Sequence, residues 1–144
     1  MIDTLHAVVD LLAGDIAVAA RVFKRVYGAE LPEFTPHEGT LMPRKCIVAK
    51  YAGSGRLGEN DYLPIHEPRI DLLCYGETPY EADRVRRSTY KVMKELKRKV
   101  QGDVVLFRAT HSGGPVQLRD GDTGWPLIVE SWLILAADAA PMYY

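Results

Sequence analysis

Gly53-Ser54-Gly55-Arg56-Leu57-Gly58 has the G-x-G-x-x-G spacing of a dinucleotide-binding turn, in which glycines let backbone approach a pyrophosphate held at a helix N-terminus. The segment follows an apolar run that reads as a strand. The next residues, Glu59 to Pro64, are polar and interrupted by proline, so no helix is predicted to receive the phosphate. Asp120 and Asp122, set among glycines, offer a fragment of a calcium loop, but the further oxygen ligands and the terminal Glu of an EF-hand are missing. A plain turn between strands, with Asp and Gly chosen for left-handed backbone, accounts for them. The histidines His6, His37, His66 and His111 are scattered, with no H-x-x-x-H pair and no neighbouring cysteine. His111-Ser112 could be drawn into a nucleophilic triad, yet Ser112 precedes Gly113-Gly114 and lacks the strained G-x-S-x-G elbow. Cys46 and Cys74 lie in separate apolar runs without metal-ligand spacing, and are expected to be free, buried thiols. These residues predict no catalytic group, no cofactor and no metal, hence not an enzyme. A small hydrolase or ligand-binding domain would need a deep pocket with converging titratable groups.

Charge is concentrated in one place. Between Glu81 and Lys99 eight cations face three anions, a local balance of +5 within a chain of net charge −1, which leaves −6 for the rest. Arg84, Arg87, Lys91, Lys94 and Arg98 fall on one outward helical face, a candidate basic surface for nucleic-acid phosphates or an acidic protein. Acidic residues at the helix start and cations at its end also complement the macrodipole, so a solvated helix exterior explains the pattern without a ligand. No aromatic platform is interleaved, which disfavours single-strand binding. A small DNA-binding protein using helix 79–100 is the alternative from a different functional class.

Local patterning supplies the elements that would position these residues. Ile2, Leu5, Val8, Val9 and Leu12 recur at helical spacing up to Gly14, a natural left-handed C-cap. Asp15 can cap a second short helix through Ala20, while 21–28 fits helix and strand equally. Three prolines in 29–44 predict an extended connection. Residues 45–52 and 69–75 read as strands, with Ile70, Leu72 and Cys74 on one face and Arg69 and Asp71 on the other; 53–61 would be a protruding loop between them. Thr78-Pro79 with Glu81 is a capped start for a helix running to Val100, stopped by Gly102. Its inward face would be Ala82, Val85, Thr89, Val92, Met93, Leu96 and Val100. Three more strands are predicted at 104–111, 116–119 and 127–136, joined by turns at Ser112-Gly113-Gly114 and 121–124. The order α-(α)-β-β-α-β-β-β predicts an α+β fold: a mainly antiparallel sheet with helices packed on one face.

A chain of 144 residues, 47% hydrophobic and 26% charged, is predicted to form one domain over 1–144, with 137–144 as a tail. The longest apolar stretch, Trp132 to Ala137, is far below the roughly 20 residues that span a bilayer. Met1 to Gly14 lacks the basic start of a signal peptide, so synthesis and retention in the cytoplasm are expected.

Arg69-Ile70-Asp71-Leu72-Leu73-Cys74-Tyr75-Gly76, followed by Thr78 and Glu81-Ala82, resembles the tail terminator, or tail completion, proteins of long-tailed bacteriophages. Gly114-Pro115, Arg119-Asp120 and Thr123-Gly124-Trp125-Pro126 with an apolar last strand resemble the C-terminal half of that family. The resemblance spans roughly residues 3–136. It implies a virion protein, made in the host cytoplasm, that closes into a hexameric ring at the head-proximal end of the tail. There it would cap the tube, end tube growth and offer a docking surface to the head-tail connector, with DNA passing through unread. The partners implied are further copies of the chain, the tail tube protein and a connector or stopper protein; no membrane is involved. A head-tail stopper or connector ring subunit is the nearest alternative. Rings use interfaces in which one patch meets an unlike patch on the neighbour. Arg69, Asp71, Arg119, Asp120 and Trp125 are the candidate interface residues.

Overall fold

Asp3, Asp15 and Thr78 each stand one residue ahead of a helix, and each accepts a backbone N–H through its side chain, from His6, Val18 and Glu81 respectively. In the computed structural model they open α1 (Thr4–Ala13), α2 (Ile16–Val22) and α3 (Pro79–Lys94). The structure describes residues 3–23, 25–29, 45–52, 56–57, 65–121 and 124–138. Within these the strands are β1 (Val26–Gly28), β2 (Cys46–Tyr51), β3 (Arg56–Leu57), β4 (Ile65–Glu67), β5 (Arg69–Tyr75), β6 (Lys99–Gln101), β7 (Val104–Arg119) and β8 (Pro126–Asp138). The expected loop at 29–44 lies outside the described residues from 30 onward. So does the expected loop at 53–61, apart from β3, and so does the tail beyond Asp138.

β8 is the spine of one mixed, mostly antiparallel sheet. One of its edges is shared by β5, paired from Leu127 to Leu133, and by β4, paired at Ala136 and Ala137; the other edge is taken by β7 along almost its whole length. β2 extends the sheet beyond β5, and β1 adds at its margin the one parallel pairing among the described residues. β3 lies outside β4, and β6 covers only the first residues of β7. The helices pack on one face: α1 over β1 and β2, α3 over β5, β7 and β8, and α2 beside α3. Between helices and sheet lie Val8, Leu12, Val18, Ile47, Ile70, Leu72, Cys74, Val85, Met93, Trp132 and Ile134, all buried. A smaller cluster of Cys46, Val48, Tyr75 and Leu127, with Trp125 packed against it, occupies the other face. The α+β class and the placement of helices on one face agree with the sequence reading.

Several boundaries differ, each for a physical reason. Gly14 is right-handed, at φ −84°, because Asp15 opens α2 at once and leaves no room for a left-handed cap. The ambiguous 21–28 divides: α2 ends at Val22, Phe23 turns the chain at φ 58°, and β1 pairs with β2. α3 stops at Lys94 and does not reach Val100. The Gly102-Asp103 turn, with Gly102 at φ 62°, folds Lys99–Gln101 back onto Val104–Leu106, so Val100 is exposed in a strand and Arg98 lies beyond the helix. The predicted strands 104–111 and 116–119 are one strand. Ser112-Gly113-Gly114 does not turn, because register shifts between Leu106/Arg108, His111/Gly113 and Gly113/Val116 absorb the extra residues as bulges. β8 extends to Asp138, so the tail begins later than position 137.

Candidate functional site

Glu130 is the most enclosed charge among the described residues, with 1% of its side chain exposed. The alternation Ile128, Glu130, Trp132, Ile134 puts it on the core face of β8, under α3. Arg86 reaches down from the helix to bond Glu130 Oε2 at 3.2 Å, and its Nε bonds Asp83 at 2.9 Å. His111 Nε2 lies 3.2 Å from the same Oε2. Burial works against the charge of Arg86, but its hydrogen bond to Asp83 and the charge of Glu130 hold its pKa above the ordinary arginine value. Tyr90, His111 and Trp132 pack edge-on or tilted against one another beside the cluster, with centroids 5.1 to 6.2 Å apart. A buried carboxylate clamped by a guanidinium ties helix, hairpin and sheet together; Ser112, beside His111, is an exposed bulge. Sequence reasoning missed Glu130, although its parity with the apolar residues of β8 was the available signal.

The candidate interface residues fall into two groups. On the face away from the helices, Arg69 donates to Ser131 Oγ at 3.3 Å, and Ser131 donates to Asp71 Oδ1 across the β5–β8 ladder. Arg119, Asp120 and Trp125 sit at the β7–β8 turn, six residues along β5 and therefore roughly 20 Å away. Arg119 donates to the carbonyl of Gly124 at 3.1 Å, and the backbones of Asp120, Gly124 and Trp125 are cross-bonded. Trp125 folds back on its own sheet, edge-on to Tyr75 at 6.2 Å. Burial, then the charge of Asp120, pushes the Tyr75 phenol up to about 12.

The basic surface is smaller than the sequence suggested. Arg84, Arg87, Lys91 and Lys94 do share a face of α3, but Arg98 does not, and Arg86 is committed to the core. Arg84 lies over Tyr80 at 5.7 Å, Lys94 over Tyr90 at 5.6 Å, and Arg87 pairs with Asp83 at 2.9 Å. Cys46 and Cys74 are free and buried, and burial pushes both thiols up to about 12. His6 pairs with Asp10 on α1 and His66 sits in β4; His37 and Asp122 lie outside the described residues. Among the described residues no three His, Cys, Asp or Glu side chains are grouped to hold a metal, and no helix is long and apolar enough to cross a membrane.

Two surface features were not anticipated. α2 leaves Ile16 88% exposed and ends on Phe23, 65% exposed. Across α3, a hollow of about 350 Å³ is lined by Pro79, Tyr80, Asp83, Pro115, Gln117 and Ile128.

No family model matches the chain, and no curated protein matches it. Among solved structures it is similar to a chain of the virion of a native gene transfer agent (GTA) particle, with a TM-score of 0.62 and 15% identity over 92% of this chain and 93% of that one. At that identity the likeness is one of fold, and it runs through nearly the whole length of both chains.

Proposed function

We propose that this protein is a structural virion subunit, working as a tail terminator: copies close into a hexameric ring on the head-proximal end of the tail tube, end its growth and present a surface to the connector. The observation that carries this reading is the near end-to-end likeness of fold to a GTA virion chain. The motif resemblance over 69–82 and 114–126 supports it independently. So does the chemistry of the site, where the most enclosed charges brace helix against sheet. DNA passes through the ring without base contacts, in keeping with a helix face on which Arg84 and Arg87 are already engaged by Tyr80 and Asp83. Ring closure requires unlike patches on different flanks of the subunit.

Light scattering and electron microscopy of the concentrated protein, alone and with purified tail tubes, test the reading. Sixfold rings that seat on tube ends are the expected result. A strictly monomeric species that ignores tubes would overturn it, and rings that bind DNA-filled heads but not tubes would replace it with a stopper or connector subunit.

A further inference from the structure

Five cations and one anion lie between Lys91 and Lys99, so this stretch carries +4 and the rest of the chain −5. Lys91, Lys94, Lys97, Arg98 and Lys99 are all exposed, and Glu95 is the anion among them. The backbone that carries them is held on both sides. α3 ends at Lys94; the Glu95 N–H bonds the carbonyl of Lys91 and the Leu96 N–H that of Met93, with the Leu96 side chain buried. The Arg98 N–H then bonds the carbonyl of Phe107 at 3.0 Å, and Lys99 pairs with Leu106 at the start of β6. The cations therefore project from a fixed corner where α3 gives way to the β6–β7 hairpin.

Local structure accounts for part of this charge. Lys91 and Lys94 stand in the last turn of α3, where cations complement the helix dipole. That effect fades within one turn, and Lys97, Arg98 and Lys99 lie beyond the C-cap Glu95. A lysine on a short edge strand discourages stray pairing, which explains Lys99 and leaves Lys97 and Arg98. Nor do these side chains balance carboxylates. Among the described residues no Asp or Glu forms an ion pair with Lys91, Lys97, Arg98 or Lys99, whereas Lys45, Arg86 and Arg87 all have such partners.

Unneutralised cations held together on an ordered backbone complement a polyanion. Protein interfaces centre on exposed apolar or aromatic anchors and are depleted of lysine. Between these cations Met93 and Leu96 are buried and Val92 is half-buried, so no such anchor stands among them. Phosphates, which Lys and Arg bind without needing an apolar centre, fit the corner better than an acidic protein does.

We infer that the corner formed by the C-terminal end of α3 and β6 faces the bore of the ring and contacts the phosphates of the DNA passing through it. The inference rests on the ring reading and deepens it by naming the side of the subunit that lines the channel. Exposed, flexible lysines hold a duplex by charge alone and leave it free to slide. Arg84 and Arg87, nearer the start of the same helix, are engaged by Tyr80 and Asp83 and take no part.

Fluorescence anisotropy of the full chain with a random-sequence DNA duplex, read across salt concentrations, tests the contact. The parent should bind with a steep salt dependence. Lys97→Gln, Arg98→Gln and Lys99→Gln combined should make the slope of log affinity against log salt shallower by about 3, one for each lost phosphate contact. These three side chains are exposed, so the variant should keep the fold, which circular dichroism checks. Arg84→Gln with Arg87→Gln should leave the slope unchanged. Lysine acylation read by mass spectrometry gives a second measurement: in assembled rings Lys91, Lys97 and Lys99 should react freely and become protected when duplex is added, while Lys50, exposed on β2, is unaffected. A triple variant that binds duplex like the parent, parent rings that ignore duplex at low salt, or lysines already shielded in rings without DNA would overturn the contact and leave the ring standing. Loss of tube or connector attachment in the triple variant, with duplex binding intact, would assign the corner to an acidic protein instead. A parent that binds duplex but never assembles would bring down the ring reading, and the bore with it.

Discussion

Removing the Glu130 carboxylate takes away one of the two carboxylate partners of Arg86, only 15% exposed, leaving Asp83, and frees His111 at the same stroke. Losing a charge-assisted hydrogen bond in a buried site is costly even where a second partner remains, so Glu130→Ala should lower the unfolding free energy by about 2–3 kcal/mol in urea titrations. Arg86→Met combined with Glu130→Leu should recover much of that loss, since an apolar pair replaces a buried ion pair at little net cost. The two cysteines make a separate prediction. Their thiols titrate near 12 in the folded protein against 9.0 ordinarily, so the unfolded chain gives up these protons first as pH rises. Their contribution is fully present below about pH 9 and declines above it. Native protein at pH 8 should therefore resist alkylation, and Cys46→Ala with Cys74→Ala should flatten the fall in stability between pH 9 and 12. The parity of Cys74 with Ile70 and Leu72 was legible in the sequence. The inward parity of Glu130 was legible in the same way, but its pairing was not, because its two partners sit 44 and 19 residues away.

Element boundaries were readable where their causes are local. Thr78-Pro79 with Glu81 fixed the start of α3, and Thr78→Ala should cost about 1 kcal/mol of stability. The end of the same helix escaped, because Lys97 to Val100 keeps helical propensity and only pairing with Leu106 and Val105 takes it into a strand. The same holds for β7, where Ser112-Gly113-Gly114-Pro115 has the composition of a turn but bulges against a continuous β8. A Cβ on Gly114, at φ 89°, would stand 2.6 Å from the carbonyl oxygen of Val129; one on Gly102, at φ 62°, would meet nothing within 4 Å. Gly114→Ala should therefore destabilise clearly more than Gly102→Ala, whose cost is the backbone strain alone, about 1–2 kcal/mol. Lys45, 3.0 Å from Glu81, bonds its carboxylate and holds the pKa low. That contribution is complete above the ordinary carboxylate range and disappears as pH falls through the depressed value. Glu81→Gln should accordingly lower stability slightly at neutral pH, match the parent once Glu81 is protonated, and so flatten the acid limb of the stability–pH profile.

At the scale of the whole molecule, the innermost charges bind helix to sheet, while large apolar side chains are exposed on α2 at Ile16, at the start of α3 at Tyr80, and along β6 and β7 at Val100, Val116 and Leu118. β8 carries a mechanical consequence. Thirteen residues at about 3.3 Å each make a rod of roughly 40 Å, gripped on both edges by antiparallel ladders. Traction along its axis loads those ladders in shear, so many bonds must fail together, whereas a sideways pull peels them singly. A ring of such struts would be stiff in the direction of the rods and compliant across them.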